Sequence, residues 1–259
     1  MNFVRSLAVL LFALQAACSM TPTDETRDWG PDRIYFAARS ELEDKNYQKA
    51  IALYQKLESR YPYGRFAQQA QLDIAFAYWK DSEPALALAA CDRFIREHPN
   101  HANVDYAYYL KGRINFNEDL GLFGFISGKD LTERDPQAAR DAFDAFKELV
   151  SRFPESKYAK DSDARLNYLV NALASHEAHV AEYYYRRAAY VAAVNRAQFV
   201  LKTYPRTPAV ERALVVMARS YDVMDLPELR DDTERMLRSN FPENKLAIRH
   251  EARAWWKFW

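Results

Sequence analysis

One punctuation mark recurs five times along this chain and limits what the chain can fold into. Ser59-Arg60-Tyr61-Pro62, Arg96-Glu97-His98-Pro99, Ser151-Arg152-Phe153-Pro154, Lys202-Thr203-Tyr204-Pro205 and Ser239-Asn240-Phe241-Pro242 each close a stretch whose apolar residues recur at helical spacing. Proline has no N–H to donate and disfavours helical backbone in the residue before it, so each mark stops a helix. An aromatic precedes the proline in four of the five. A series of similar helical units is expected.

Counting back from each proline exposes a second regularity. Ala50, Tyr54 and Leu57 stand twelve, eight and five residues before Pro62, and Ala38 stands twelve before Ala50. Ala75, Ala87, Cys91 and Phe94 hold the same offsets before Pro99, and Ala181, Ala193, Ala197 and Val200 before Pro205. Ala142, Phe146 and Leu149 do so before Pro154. In the last unit Ala218 and Leu237 remain, but Arg230 and Glu234 occupy two core offsets, as in a terminal cap. This is the tetratricopeptide pattern. Small residues let the two helices of a hairpin approach, and the large apolar residue fills the groove of the next hairpin. No hairpin buries its apolar face alone, so the units must stack.

The expected fold class is all-α, a right-handed α-solenoid of five such hairpins over 33–242, divided as 33–64, 65–101, 102–156, 157–207 and 208–242. Stacking of this kind curves and leaves a concave face that commonly binds. The proline spacings of 37, 55, 51 and 37 exceed the usual repeat of about 34. The 55 implies an insertion over 117–135, holding Gly121, Gly124 and Gly128, half of the six glycines. The 51 implies a long helix from about Ala159 to Arg187.

Composition agrees with helices, since glycine is scarce and the good helix formers are common. Lys plus Arg and Asp plus Glu number 36 each, so the basic excess usual in nucleic-acid binders is absent. Seventeen Tyr, 15 Phe and five Trp suit helix packing and partner binding through rigid anchors.

Residues 1–17 have the parts of a secretory signal. Arg5 gives the positive region, Leu7–Leu14 a short apolar run, and Ala16-Ala17 the small residues before Cys18. An apolar run ending in small-small-Cys resembles a bacterial lipobox, with Cys18 as the acylated first mature residue, although Gln15 replaces the leucine common three before the cysteine. The other reading is an ordinary signal peptide with an incidental cysteine. The apolar run is too short to span a bilayer. Residues 18–32, with Pro22, Gly30 and Pro31, read as a flexible tether. Cys91 sits in an Ala-rich helical pattern and reads as a small buried hydrophobe.

Candidate chemistry is thin. His176 and His179 are spaced i, i+3, not the i, i+4 of a zinc-protease helix. Gly124–Lys129 lacks a phosphate loop's first glycine, with Phe123 there instead, and has Asp130 where the Ser or Thr belongs. No nucleophile elbow or paired-cysteine motif occurs. The expectation is no enzyme, no cofactor and no metal. Of Tyr183, Tyr184 and Tyr185, at most two share a helix face. Arg187, Asn195 and Arg196 read as partner-facing positions. The tail 243–259 ends Trp255-Trp256-Lys257-Phe258-Trp259; capping of the last repeat, docking into a partner and seating at a membrane interface all fit it, the first two better.

Several segments together resemble the BamD family (ComL-type), the tetratricopeptide lipoproteins of the outer-membrane β-barrel assembly complex. They include Arg60-Tyr61-Pro62-Tyr63-Gly64, Gln68–Asp73, Asp92–Arg96, His98–His101, Val180–Tyr184, Ala192–Arg196 and the Trp-rich ending. The resemblance runs from about Asp32 to the C-terminus. It implies an assembly factor on the periplasmic face of the outer membrane, held by lipid on Cys18; Ser19 after the cysteine fits outer-membrane sorting. Implied partners are a BamA POTRA domain, other lipoproteins of the complex and unfolded β-barrel proteins, with no nucleic acid. Carried over by position, Tyr61, Tyr63, Asp73, Tyr78 and Trp79 fall in the substrate-peptide region, and Arg187, Asn195 and Arg196 in the BamA-docking region. The alternative is a tetratricopeptide lipoprotein adaptor for peptidoglycan or cell-division machinery.

Overall fold

The computed structural model describes residues 24–116 and 136–244. The signal peptide, Cys18, the 117–135 insertion and the Trp-rich end of the tail lie outside the described residues. Within them the regular structure is wholly α-helical, in keeping with the expected fold class: α1 Pro31–Glu43, α2 Tyr47–Arg60, α3 Arg65–Lys80, α4 Pro84–Glu97, α5 Val104–Phe116, α6 Gln137–Arg152, α7 Ala159–Arg186, α8 Tyr190–Thr203, α9 Ala209–Val223 and α10 Pro227–Asn240.

The repeated punctuation has one geometry. Tyr61, His98, Phe153, Tyr204 and Phe241 cap α2, α4, α6, α8 and α10 with φ between −137° and −126° and ψ between 51° and 65°. Each cap donates its backbone N–H to the carbonyl four residues back, on Leu57, Phe94, Leu149, Val200 and Leu237. Those five side chains are all fully buried. The last closed backbone bond of each even-numbered helix therefore ends on a fully buried apolar residue, and the next residue, proline, cannot extend the ladder.

The turns inside the hairpins repeat as well. Lys45, Ser82, Ala188 and Asp225 adopt positive φ, between 57° and 65°. The residue after each, Asn46, Glu83, Ala189 and Leu226, donates its N–H back five residues, to Glu41, Tyr78, Tyr184 and Tyr221. This left-handed cap ends one helix and aims the chain into the next.

The chain divides into two compact units, which meet within α3 at Ala77–Tyr78. In the first, α1 packs on α2 through Ile34, Ala38, Ala50, Tyr54 and Leu57, all fully buried. Tyr35 packs against Tyr54 and Phe66 at ring separations of 5.8 and 5.2 Å, which brings α3 onto the pair.

Residues 24–30, expected as part of a loose tether, are fixed. Thr26 is buried and its hydroxyl donates to Asp24 at 2.7 Å. Arg60 donates to both the Thr26 carbonyl and Asp24, Lys56 donates to Asp24 at 2.9 Å, and Tyr61 Oη donates to the Trp29 carbonyl at 2.9 Å. The hydrogen bonds from Lys56, and next from Thr26, hold the Asp24 carboxyl well below the usual carboxylate range. The partners stand more than thirty residues away in sequence, so polar composition alone read as a tether.

In the second unit, helices from α4 to α10 pack each on the next in chain order, and α7 also touches α9. One core runs through Ala178, Ala181, Ala193, Ala197, Val200, Ala213 and Met217. Alanine facing alanine explains the close approach of α7 and α8. The long helix expected near 159–187 is α7, with 28 residues. Cys91 is buried and free, and burial pushes its thiol up to about 12. Between α5 and α6 the small residue is Gly112: a Cβ there would meet the Phe146 ring at 2.5 Å, and Phe146 is fully buried.

Two substitutions test these contacts. Gly112→Ala forces the buried ring to move, so it is expected to lower unfolding free energy by about 1–3 kcal/mol despite alanine's better helix propensity. Ala188→Gly relieves left-handed strain and is expected to stabilise by about 0.5–1 kcal/mol after the entropic cost of glycine. Urea denaturation of both variants reads the two signs directly.

Candidate functional site

The first unit holds a carboxylate turned inward. Asp73, on α3, accepts from Tyr35 Oη at 3.0 Å and from Gln69 Nε2 at 3.0 Å. Tyr54, from α2, lies close to the same carboxyl but in no hydrogen bond of ordinary geometry. Burial raises the Asp73 pKa, against the lowering effect of its hydrogen bonds. Burial and the facing carboxylate push Tyr35 up to about 12. Of the first-unit residues expected in a substrate region, Asp73 is engaged with these neighbours, Tyr61 with Trp29, and Tyr63 is 93% exposed.

Tyr78 and Trp79 belong to the second unit. Trp79 is part of an aromatic and cationic rail built from the end of α3, from α5 and from the start of α7. Lys80 and Arg113 lie over the Trp79 ring at 4.3 and 5.4 Å. Arg113 lies 5.7 Å from the Tyr109 ring centre, and its Nη1 donates to Tyr109 Oη at 3.1 Å. Tyr109 stacks on Tyr158 at 4.5 Å and donates to Asp161 Oδ2 at 2.9 Å. Arg165 pairs with Asp161 at 2.7 Å and covers Phe116 at 4.9 Å. Burial alone would raise Asp161, but the hydrogen bonds from Arg165 and Tyr109 outweigh it and lower its pKa. Trp79, Tyr109 and Tyr158 are partly exposed and Phe116 is buried; partly exposed rings beside guanidinium groups can hold an extended chain. Sequence reasoning missed Tyr109, Arg113, Tyr158, Asp161 and Arg165. The i, i+4 pairs Tyr109–Arg113 and Asp161–Arg165 were a usable signal for two shared helix faces.

Further along, Glu177 of α7 is only 4% exposed at its side chain, between two arginines that are about half exposed. Arg140 of α6 reaches Oε1 at 3.2 Å and Arg196 of α8 reaches Oε2 at 3.1 Å. One buried carboxylate thus ties three helices and sets the direction of Arg196. Asn195 beside it is exposed. Arg187 lies over the Tyr183 ring at 5.4 Å, and Tyr183 is exposed whereas Tyr184 and Tyr185 pack on the core. Arg212 clasps Glu182 through two 3.0 Å bonds. Arg196 was expected as a partner-facing residue; its ion pair with Glu177 was not, because that partner stands 19 residues away.

No group of three or more His, Cys, Asp or Glu is arranged to hold a metal ion among the described residues. No described helix is long and apolar enough to cross a membrane. Serial helical hairpins with ion-paired and aromatic faces define a tetratricopeptide-type repeat protein. The chain belongs to the YfiO family, described as outer membrane lipoprotein, whose profile matches residues 27–236. It is 46% identical to the outer membrane protein assembly factor BamD of Neisseria meningitidis serogroup B, over 95% of each chain. Identity is 44% to the protein of that name from Neisseria gonorrhoeae, over 98% of each chain. The Vibrio cholerae protein of that name is 34% identical, over 93% of this chain and 99% of its own.

Two measurements probe the buried carboxylates. With either arginine left, Glu177 keeps a partner, so Arg140→Ala and Arg196→Ala singly are expected to cost about 1 kcal/mol or less, and the double variant about 3 kcal/mol, more than additive. Tyr35→Phe removes a hydrogen bond to ionised Asp73, so its cost is expected near 1 kcal/mol at neutral pH. Because the folded Asp73 pKa is raised, the native protein takes up this proton at a higher pH than the unfolded chain. The cost of Tyr35→Phe therefore shrinks as pH falls through that raised value, read by urea denaturation at neutral and acidic pH.

Proposed function

We propose that this outer-membrane lipoprotein works in outer-membrane protein assembly as a lipid-held scaffold that catalyses nothing. Acylated on Cys18, it stands on the periplasmic face of the outer membrane. It docks through the Arg187, Asn195 and Arg196 surface on a POTRA domain of BamA, beside other lipoproteins of the complex. The exposed Tyr63 of the first unit and, in the second, Tyr78 and the rail at Trp79 receive extended segments of unfolded β-barrel proteins. Tyr61 and Asp73 shape their surroundings, since both are engaged internally.

The observation that carries this reading is full-length similarity to proteins named outer membrane protein assembly factor, together with the rail. Stacked Tyr109–Tyr158 rings and the Trp79–Arg113 contact offer π faces and N–H donors. A carboxyl-terminated, aromatic-rich strand can use both. The docking surface has the composition of an interface anchor, with arginine and tyrosine on a preset arrangement.

Mild-detergent purification from solubilised outer membrane tests the assignment: BamA should co-purify, and its absence would overturn it. Arg187→Ala with Asn195→Ala is expected to weaken POTRA binding about tenfold without changing thermal stability, because neither residue is buried. Unchanged binding would remove these residues from the interface.

A further inference from the structure

Charge is unevenly placed around α8. From Tyr183 to Val210 the chain holds Arg186, Arg187, Arg196, Lys202 and Arg206 and no Asp or Glu, in a molecule whose charges balance overall. All five cations are exposed. Among the described residues only Arg196 of the five makes an ion pair, with Glu177. The nearby acids on the helices packed against α8 are already engaged. On α7, Glu177 is held by two arginines and Glu182 by Arg212. On α9, Glu211 accepts from Asn244 and Asp222 pairs with Arg230. The outer face of α8 therefore keeps a positive charge that the fold does not neutralise.

The same helix carries a second feature. Val191 is 65% exposed and Phe199 42%, whereas Ala193, Ala197 and Val200 are fully buried. A separation of eight residues sets the two exposed side chains about 80° apart around the helix axis and about 12 Å apart along it. Asn195, also exposed, falls between them. Phe199 makes a T-shaped contact with Tyr204 at a ring separation of 6.1 Å, which restrains its ring before any partner arrives. One exposed apolar side chain needs no explanation. Two on one face, rimmed by cations and without an acid, have the make-up of interface anchors inside a charged rim.

We propose that the outward ridge of α8 docks an acidic protein surface, with Val191 and Phe199 as its apolar anchors, Asn195 as the hydrogen-bonding residue between them, and Arg186 and Lys202 in the steering rim. The matching surface carries two apolar recesses about 12 Å apart, bordered by carboxylates. A second copy of this chain does not fit, because a two-fold contact would set like charges face to face. The proposal rests on the docking assigned above to Arg187, Asn195 and Arg196; it adds the anchors and fixes the sign of the partner's charge.

The test measures binding of the full chain, in detergent, to the purified periplasmic region of BamA. The dissociation constant is expected to rise about tenfold between about 50 and about 300 mM salt. Val191→Ala with Phe199→Ala should weaken binding about thirtyfold and leave the thermal transition unchanged, since neither side chain is buried. Arg186→Gln with Lys202→Gln should slow association at low salt and flatten the salt dependence. Leu86→Ala, which removes an exposed apolar side chain from α4, should leave the affinity as it is.

The outcomes separate the claims. A wild-type chain that does not bind at any salt overturns the BamA docking and the ridge together. Binding that ignores the Val191 and Phe199 changes, or that falls equally with Leu86→Ala, overturns the anchors alone. Binding that salt does not weaken overturns the acidic partner. Sedimentation showing a dimer that the Val191 and Phe199 changes dissociate would assign the ridge to a second copy and overturn the proposal.

Discussion

A backbone hydrogen bond laid over a buried side chain is the constraint on which the architecture depends. Each even-numbered helix ends where an aromatic or histidine donates its N–H to the carbonyl of a fully buried residue. The proline that follows closes the ladder and turns the chain. The anchor and the stop are thus coupled. Shifting the stop by one residue would rotate the anchor about 100° around the helix axis and out of the groove it fills. Close packing then needs only small residues opposite, and Ala181, Ala193 and Ala197 are fully buried where α7 meets α8.

This coupling explains which parts of the molecule could be read from the chain. Helix ends and core positions follow from contacts within one hairpin, four to twelve residues apart, so spacing revealed them: the expected long helix and α7 differ by one residue at the C-terminal end. The left-handed turns were not visible, since Lys45, Ser82, Ala188 and Asp225 include no glycine. The turn is imposed by the two helices it joins. Polar contacts over long separations were hidden for another reason. Arg60 to Asp24 spans 36 residues and Arg140 to Glu177 spans 37, and neither pair follows a helical period. Glu177 stands between His176 and His179, and nothing in that local sequence marks it as the carboxylate that ties three helices.

The site residues divide along the same line. Tyr63, Asn195 and Arg187 are exposed. Asp73 and Tyr61 instead hold parts of the first unit together. A residue type that can grip a partner can equally grip its own chain, and composition does not distinguish the two uses. Only the geometry of the alternative partner does so.

With 36 basic and 36 acidic residues the chain carries no net charge, so its electrostatic field is local. Its arginines show how that field is arranged. Arg196 is half exposed and spends one guanidinium bond on a carboxylate that is almost fully buried. That bond orients the group while leaving donors for a second acceptor, because a guanidinium carries five N–H groups. The ordering entropy of a long flexible side chain is then met during folding rather than at binding. Arg113 is held against the Trp79 and Tyr109 rings. The direction of these arginines is thus set by the same helix packing that the repeated proline enforces.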